Sequence, residues 1–382
     1  MIVEPTAPLH LGVALDGTGW HPSSWRLSDA RPEDLLTAGY WTDLTVTAER
    51  GLLDFVTIED GLALQSDHPF RPDARTDRVR GRLDAVQIAA RVAPRTRHIG
   101  LIPTAISTHT EPFHLSKAIA TLDYVSSGRA GVRVQVSSNP ESAGHFGRPV
   151  AEDTMAEAAD YVEVLRRLWD SWEDDAVIRD AATGRFIDRD KLHYIDFEGR
   201  WFSVKGPSIT PRPPQGQPLV AALGHGEPAY RLIAAGADLG FITPRSEQDI
   251  ATITDTISGL RPAGAGRARI IVDLVVFLGD TASAAAAHRA RLDTLLGREY
   301  ISDAPVFVGP AADLADQLIR WQAAGADGFR LRPAAVPHDL TQITDALVPE
   351  LQRRGAFRTA YGQSTLRGLF GLARPANRYV DS

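Results

Sequence analysis

The chain has 382 residues, 43% of them hydrophobic, and a formal net charge of −7. That length and composition allow one large core, so we expect a single domain spanning residues 1–382. The absence of cysteine excludes disulfides, thiolate catalysis and cysteine-ligated metal or iron–sulfur centres, and the modest negative charge argues against a nucleic-acid partner.

The first ten residues, MIVEPTAPLH, lack the basic region and apolar region of a secretory signal. The sequence also lacks a run of roughly 18 uncharged apolar residues, the length that a membrane-spanning helix requires. We therefore expect a soluble, cytoplasmic protein without membrane association.

Eight buried strands are predicted in chain order, with helical patterns between most of them. Each is a short, almost continuously apolar run, which is typical of strands that are covered on both faces. The predicted strands are residues 9–15, 53–58, 99–106, 130–136, 219–223, 239–243, 270–278 and 329–331.

Alternating strands and helices of this number predict an α/β fold, a closed (β/α)8 TIM barrel. An open, doubly wound sheet is the alternative. Against it, Gly17 and Gly19 follow the first strand without the third glycine and the helix that a dinucleotide-binding turn requires.

A long insertion interrupts the alternation between about residues 173 and 217. It is rich in charge at first and in proline later, and residues 193–197 and 201–204 have the pattern of a hairpin. A segment of this length inside a compact domain is either an ordered insertion, such as a lid over the barrel mouth, or a passive surface excursion.

In such a barrel the functional residues lie where the strands end, because the loops converge at that face. This rule selects residues 16–25, 104–109, 135–138 and 224–226, together with Glu59, Asp60, Arg330 and Arg332.

Several motifs together resemble the bacterial luciferase-like, flavin-dependent monooxygenases. Within that superfamily they are similar to the branch of nitrilotriacetate, dibenzothiophene sulfone and long-chain alkane monooxygenases. The matching segments occur in order along nearly the whole chain: WHPSSWR (20–26), ERGLLDFVTIEDGLAL (49–64), PTAISTHTEPFHLSKAIATLDYVSSGRAG (103–131), HFGRP (145–149), LRRLWDSW (165–172), GRWFSVKGPSITPRPPQGQP (199–218), DGFRLRP (327–333) and VPELQRRGAFRTAYGQSTLRGLFGL (348–372).

The resemblance implies a two-component enzyme that takes reduced FMN (FMNH2) from a separate NAD(P)H:flavin reductase and uses O2 to oxygenate a small organic substrate. It assigns the flavin phosphate or ribityl chain to Ser137, Ser138, Gly224, His225 and Gly226. A glycine turn that opens a helix supplies backbone donors for an anion, although most such turns only start a helix. We also expect a homo-oligomer and no bound metal.

For the flavin ring, the resemblance points to Asp60 and Thr104. The structural alternatives are a helix-capping acid for Asp60 and a strand hydroxyl bonded to a neighbouring carbonyl for Thr104.

The fourth strand departs from the family pattern. Relatives carry Trp-Asn after Arg-Ala-Gly, whereas this chain has Val132 and Arg133. Alternation places Arg133, Gln135 and Ser137 on one side of the strand, which we interpret as the barrel interior. All three are therefore candidate cofactor-binding residues. Arg133 then either neutralises the flavin ring edge, pairs with a carboxylate such as Asp60, or has a purely structural role.

This departure leaves open a deazaflavin-dependent oxidoreductase that transfers hydride on the same barrel. A barrel that only binds flavin, or one that is catalytically silent, is a further alternative.

Histidines are the natural acid and base candidates because their ordinary pKa lies near neutrality. Among those at strand exits, His21 and His109 are the catalytic candidates, and a structural role is the alternative for each. The sequence does not identify the substrate.

Overall fold

The computed structural model describes residues 8–68, 70–150 and 152–380. Residues 1–7, which carry most of the segment where no secretory signal is expected, lie outside the described residues. The strands are β1 (His10–Leu15), β2 (Phe55–Ile58), β3 (Gly100–Ile106), β4 (Gly131–Gln135), β5 (Val177–Asp180), β6 (Arg185–Ile187), β7 (Phe197–Glu198), β8 (Ser203–Val204), β9 (Leu219–Gly224), β10 (Leu239–Ile242), β11 (Arg269–Leu278), β12 (Val306–Gly309) and β13 (Gly328–Pro333).

Eight of these strands form a closed parallel barrel. Their order is β1-β2-β3-β4-β9-β10-β11-β13, and β13 pairs with β1 to complete the circle. All eight lie where the sequence predicts strands, so the TIM-barrel prediction is confirmed. The short β12, which the sequence analysis did not predict, pairs in parallel with the carboxyl-terminal half of β11.

Helices surround the barrel, and short polar side chains cap several of their amino termini. Thr37, Asp84, Ser246 and Thr281 each accept a hydrogen bond from a first-turn amide. The helices are α1 (Ala38–Arg50), α2 (Ala85–Val92), α3 (Pro112–Val125), α4 (Pro140–His145), α5 (Thr154–Asp170), α6 (Glu227–Gly236), α7 (Glu247–Gly259), α8 (Ala282–Leu296), α9 (Ala311–Ala323), α10 (His338–Gln342), α11 (Val348–Arg353) and α12 (Leu366–Leu369).

The barrel interior is divided between apolar and charged residues. Phe55, Ile102 and Phe241 at the lower end pack against Leu366 and Phe370 of the α12 region, which closes the amino-terminal end of the barrel. Above this plug the inward side chains are charged, as described below. Within the described residues, no helix is long and apolar enough to cross a membrane. A cytoplasmic location stays a prediction.

The insertion contains two antiparallel hairpins. The pair β7–β8 forms at the predicted place, with Phe197 opposite Val204. The other pair, β5–β6, was not predicted. Phe197 and Ile195 pack against Val164 and Leu168 on α5. None of the insertion residues lines the two cavities that open at the carboxyl ends of the barrel strands and are described below. Whether the insertion acts as a lid stays a prediction.

Candidate active site

Two adjoining cavities open at the carboxyl ends of the barrel strands. The larger has a volume of about 440 Å³ and the smaller about 250 Å³, and both are lined by Gln65, Ser66 and Arg82 of the loop that follows β2. The larger cavity combines hydroxyl, amide and carboxylate groups with apolar side chains: Asp60, Gln135, Ser137, Ser138, Asn139, Leu62, Leu64, Phe70 and Ile106. Its size and mixed lining are those of a pocket for a small organic ligand or cofactor.

Four of the predicted cofactor-binding residues therefore lie together. Asp60, Gln135, Ser137 and Ser138 all line the larger cavity, although they come from the exits of β2 and β4. The Ser137 amide donates to the Thr108 hydroxyl across 3.1 Å, and the Ser137 hydroxyl accepts a bond of 3.3 Å from the Asn139 amide. These bonds fix the turn that presents both serines to the cavity.

Asp60 also has a structural task. One carboxylate oxygen accepts the Gly61 amide at 2.7 Å and the other accepts the Ala85 amide, at the start of α2, at 2.9 Å. Burial raises the pKa of Asp60, and the two amide bonds only partly offset that effect. Asp60 thus bonds the start of α2, as the helix-capping alternative expects, and it also borders the cavity, so its role in flavin binding stays a prediction.

Arg133 points into the barrel, as alternation predicts, and pairs with Glu59. Its Nη1 lies 2.6 Å from Glu59 Oε2 and 3.0 Å from the Thr104 hydroxyl. The sequence suggested Asp60 as the carboxylate that pairs with Arg133. That suggestion is wrong, because Asp60 faces α2 and Glu59 is the partner. Thr104 is fully buried, and its hydroxyl accepts from the guanidinium of Arg133.

The charge cluster continues across the barrel. Arg330 donates from Nη1 to Glu59 at 3.1 Å and from Nε to Asp273 at 2.7 Å, and Asp273 also binds Arg332. Arg332 in turn donates to Asp303 at 2.7 Å. Burial alone would raise the pKa of Glu59, but the surrounding arginines outweigh it and hold that pKa below its ordinary value. The same balance lowers the pKa of Asp273 to about 2. Both carboxylates are therefore ionised at neutral pH.

This cluster is the main feature that sequence reasoning left out of the site. Glu59, Arg330 and Arg332 were recognised only as residues at strand exits. The available signals were Asp273 in the middle of a highly apolar strand and the two alternating arginines of DGFRLRP. A charge in such a strand indicates a buried partner, since an unpaired ion is too costly to bury. Arg332 also lies over the ring of Trp20, 4.3 Å from its centroid.

The turn after β9 brings Gly224, His225 and Gly226 to the amino terminus of α6. A Cβ on Gly224 would lie 2.7 Å from the Tyr230 ring, so this position favours glycine. Gly226, the residue before the helix, has no side chain with which to cap the first-turn amides. His225 is exposed, and its Nδ1 lies 3.1 Å from the Thr243 hydroxyl. β9 pairs with β4, so this turn and the two serines Ser137 and Ser138 follow neighbouring strands of the barrel.

The two histidine candidates occupy different environments. His21 borders the smaller cavity but is buried, with the Ser23 amide donating to its Nδ1 at 3.1 Å and Asp293 lying 3.3 Å from its Nε2. Burial lowers the pKa of His21, which favours the neutral ring. These contacts supply a structural explanation for His21, and its catalytic role stays a prediction.

His109 has a strained backbone and an unsatisfied ring atom. Its φ of 70° lies in the left-handed region, and its ring stacks on Phe146 with 5.7 Å between the centroids. Its buried Nε2 has no hydrogen-bond partner among the described residues. Burial, followed by the charge of Arg148, lowers the pKa of His109. The lowered pKa favours the neutral ring. His109 is not among the residues that line the two mouth cavities, and its catalytic role also stays a prediction.

The chain resembles known proteins over almost its whole length. A family model described as luciferase-like monooxygenase matches residues 21–348. N-acetyl-S-(2-succino)cysteine monooxygenase of Bacillus subtilis is 32% identical, covering 97% of this chain and 98% of the relative. Nitrilotriacetate monooxygenase component A of Aminobacter aminovorans is 30% identical, covering 97% of each chain. The crystal structure of DmoA from Hyphomicrobium sulfonivorans has a TM-score of 0.83 and 27% identity, covering 94% of this chain and 91% of that chain. These similarities confirm the resemblance deduced from the motifs.

Proposed function

The chain belongs to the luciferase-like monooxygenase family, and from that premise we propose that it uses reduced FMN from a separate flavin reductase, with O2, to oxygenate a small organic substrate. The observation that carries the proposal is the hydroxyl-lined cavity of about 440 Å³ at the barrel mouth. The strand β9, which pairs with β4, leads into the amino terminus of α6, and no capping side chain occupies that terminus. A flavin nucleotide has parts that match both: a polar ring edge and a phosphate.

The residues present fit the phosphate of FMN. Exposed amides at the start of α6 favour an anion because the helix dipole and the unpaired N–H groups act together. Ser137 and Ser138 follow β4, and His225 follows β9, its neighbour in the barrel, so these side chains are the further donors that we propose. We assign the phosphate and ribityl chain to these two strand exits.

The ring would be held in the larger cavity. Gln135 offers an amide to the polar ring edge, while Ile106 and Leu62 provide apolar contacts. When bound, reduced flavin supplies the reaction with O2, and the protein supplies orientation and desolvation. Leu64 and Phe70 at the rim would limit the access of water to the bound ring.

Glu59 and Asp273 are not proton donors in this proposal, because their arginine partners keep them ionised. The acid and base candidates are His21 and His109, and burial lowers the pKa of each ring. We propose His109 as the stronger candidate because its Nε2 is buried and unsatisfied.

Anaerobic titration with reduced FMN, reduced riboflavin, reduced deazaflavin and NADPH tests the proposal. Reduced FMN should bind most tightly, and riboflavin, which lacks the phosphate, should bind more weakly. Tighter binding of deazaflavin would favour the hydride-transfer alternative, and saturable NADPH binding without any flavin binding would contradict the flavin site.

Ser138→Ala should weaken FMN binding roughly tenfold, the effect of losing one hydrogen bond to a charged group. Ser258→Ala is the matched control, because Ser258 is exposed at the end of α7, away from the mouth. A homo-oligomeric state is also proposed, and light scattering of the purified protein measures it directly.

A further inference from the structure

Two histidines and a buried aspartate lie together where β11 ends, outside the two mouth cavities. His288 belongs to α8, and His338 and Asp339 begin α10. The imidazole centroids are 4.6 Å apart, and one potential ligand atom from each of the three residues lies within 4.8 Å of the other two.

The arrangement of these atoms suits a metal ion. His288 Nε2 is 3.4 Å from Asp339 Oδ2, and about 3.4 Å also separates two ligands held tetrahedrally at roughly 2.0–2.1 Å from one zinc ion. The ligand atom of His338 lies within 4.8 Å of the other two, so metal binding would draw this ring toward them.

The surrounding backbone orients the ligands. The Leu278 and Ala335 amides each donate to one oxygen of Asp339 across 2.8 Å. The carbonyl of Leu278 lies 3.0 Å from His338 Nε2, so that nitrogen carries the proton and Nδ1 retains a lone pair. Backbone partners of this kind are typical of metal ligands, because they fix the tautomer and the direction of each side chain.

Contrary to the expectation from sequence that no metal binds, we propose that His288, His338 and Asp339 form a site for one divalent transition-metal ion. Zinc is the best match to two imidazoles and one carboxylate. The ion bridges α8 to the segment that follows β13. That segment is hydrogen-bonded to the first loop of the mouth, because the Trp20 and His21 amides donate to the carbonyl oxygens of Pro333 and Ala334. Metal binding therefore stiffens the first loop of the mouth without entering the flavin pocket.

Calorimetric titration of the chelator-treated full-length protein with Zn²⁺ tests the site. We expect one bound ion per chain, and a visible spectrum of tetrahedral type when Co²⁺ replaces Zn²⁺. His288→Gln and His338→Gln should each weaken Zn²⁺ binding roughly tenfold or more. His98→Gln, which removes an exposed histidine on the far side of the barrel from the mouth, should bind Zn²⁺ like the wild type.

A second measurement covers the case in which one variant does not fold. Zn²⁺ should raise the Tm of the wild type, because a ligand that binds only the folded state stabilises it. That rise should disappear in whichever histidine variant folds. Absence of stoichiometric Zn²⁺ binding by the wild type, or binding equal in the wild type and in both variants, overturns the proposal.

Discussion

Glu59 lies between two guanidinium groups, and the stability of the barrel interior depends on this single carboxylate. Arg133 and Arg330 approach different oxygens of its carboxylate. Each ion has lost its hydration, so the cluster is stable only while every charge is compensated. Removing one member leaves an uncompensated buried charge.

Glu59→Gln should therefore destabilise the protein by about 3 to 5 kcal/mol, the cost of breaking a buried ion pair from one side. Urea unfolding followed by circular dichroism measures the loss. Glu111→Gln is the control, because its partner Arg148 and its own side chain are exposed and such pairs contribute only about 0 to 1 kcal/mol. Equal stability of the two variants would contradict the compensated-cluster interpretation.

Asp123 is a buried carboxylate without a close arginine partner of this kind. It accepts the Ala130 and Gln215 amides and the Gln215 side chain. Burial raises its pKa from 3.8 to about 6, more than these bonds lower it. The folded state thus binds this proton more tightly than the unfolded state between about pH 4 and pH 6.

The sign of the pH dependence follows. The contribution of Asp123 is most favourable below pH 4 and is lost as the pH rises through about 6, a change of about 3 kcal/mol for a shift of this size. Asp123→Asn should abolish this part of the pH dependence. The measurement is the free energy of unfolding of the wild type and of the variant at pH 4.5, 5.5 and 6.5, values that span about the predicted window. Parallel pH profiles of the two proteins would count against the prediction.

Side-chain partners were the least predictable feature at this scale. Alternation along β4 predicts that Arg133 points inward, and the structure agrees. The choice between Glu59 and Asp60 depends on which of two consecutive residues faces inward at the end of β2. Which of the two residues points inward depends on strand register, because a shift of one residue moves every side chain to the opposite face of the strand.

At the scale of elements, the strands were predictable because parallel strands covered on both faces become continuous apolar runs. The β7–β8 hairpin was predictable from its two short patterns and the Glu198-Gly199-Arg200 turn. Its docking on α5 was not, because that contact joins residues distant in sequence. The insertion is held there by Phe197 against Leu168 and by Arg212 against Asp170 at 3.0 Å.

Phe197→Ala should cost about 3 kcal/mol of stability, in the range for a buried phenylalanine replaced by alanine. Its side chain is mostly buried against α5, with the Arg167 guanidinium 5.3 Å from the ring centroid. Thermal unfolding measures the effect, and FMN affinity should not change. Phe186→Ala in the same insertion is the control, because Phe186 is 65% exposed and should tolerate the change. A loss of FMN affinity in the Phe197 variant alone would instead support a role for the insertion as a lid.

At the scale of the whole molecule, barrel closure depends on the contact between the first and last strands, β1 and β13. The count of eight strands predicted closure. The number of strands could not predict how closely the backbones of β1 and β13 approach at this seam between the two strands. A Cβ on Gly328 would lie 2.4 Å from the carbonyl oxygen of His10.

Gly328→Ala should destabilise the barrel by about 3 kcal/mol, because the obstacle is backbone and overpacking of a rigid seam costs about 1 to 3 kcal/mol or more. The midpoint of urea unfolding measures the effect. Gly362→Ala is the matched control, since a Cβ there meets no atom within 4 Å. A stable Gly328 variant would show that the seam can separate without loss of the fold.

The charged upper half of the barrel interior also has a consequence for heat resistance. Ions lose less hydration free energy on burial as the temperature rises, whereas the gain from apolar burial levels off. An interior that depends on Glu59, Asp273 and their arginines should therefore retain its stability on warming better than an equally stable apolar one. Consider variants that replace this cluster with well-packed hydrophobic residues. Their free energy of unfolding, relative to that of the natural chain, should be highest at low temperature and lowest near the unfolding temperature.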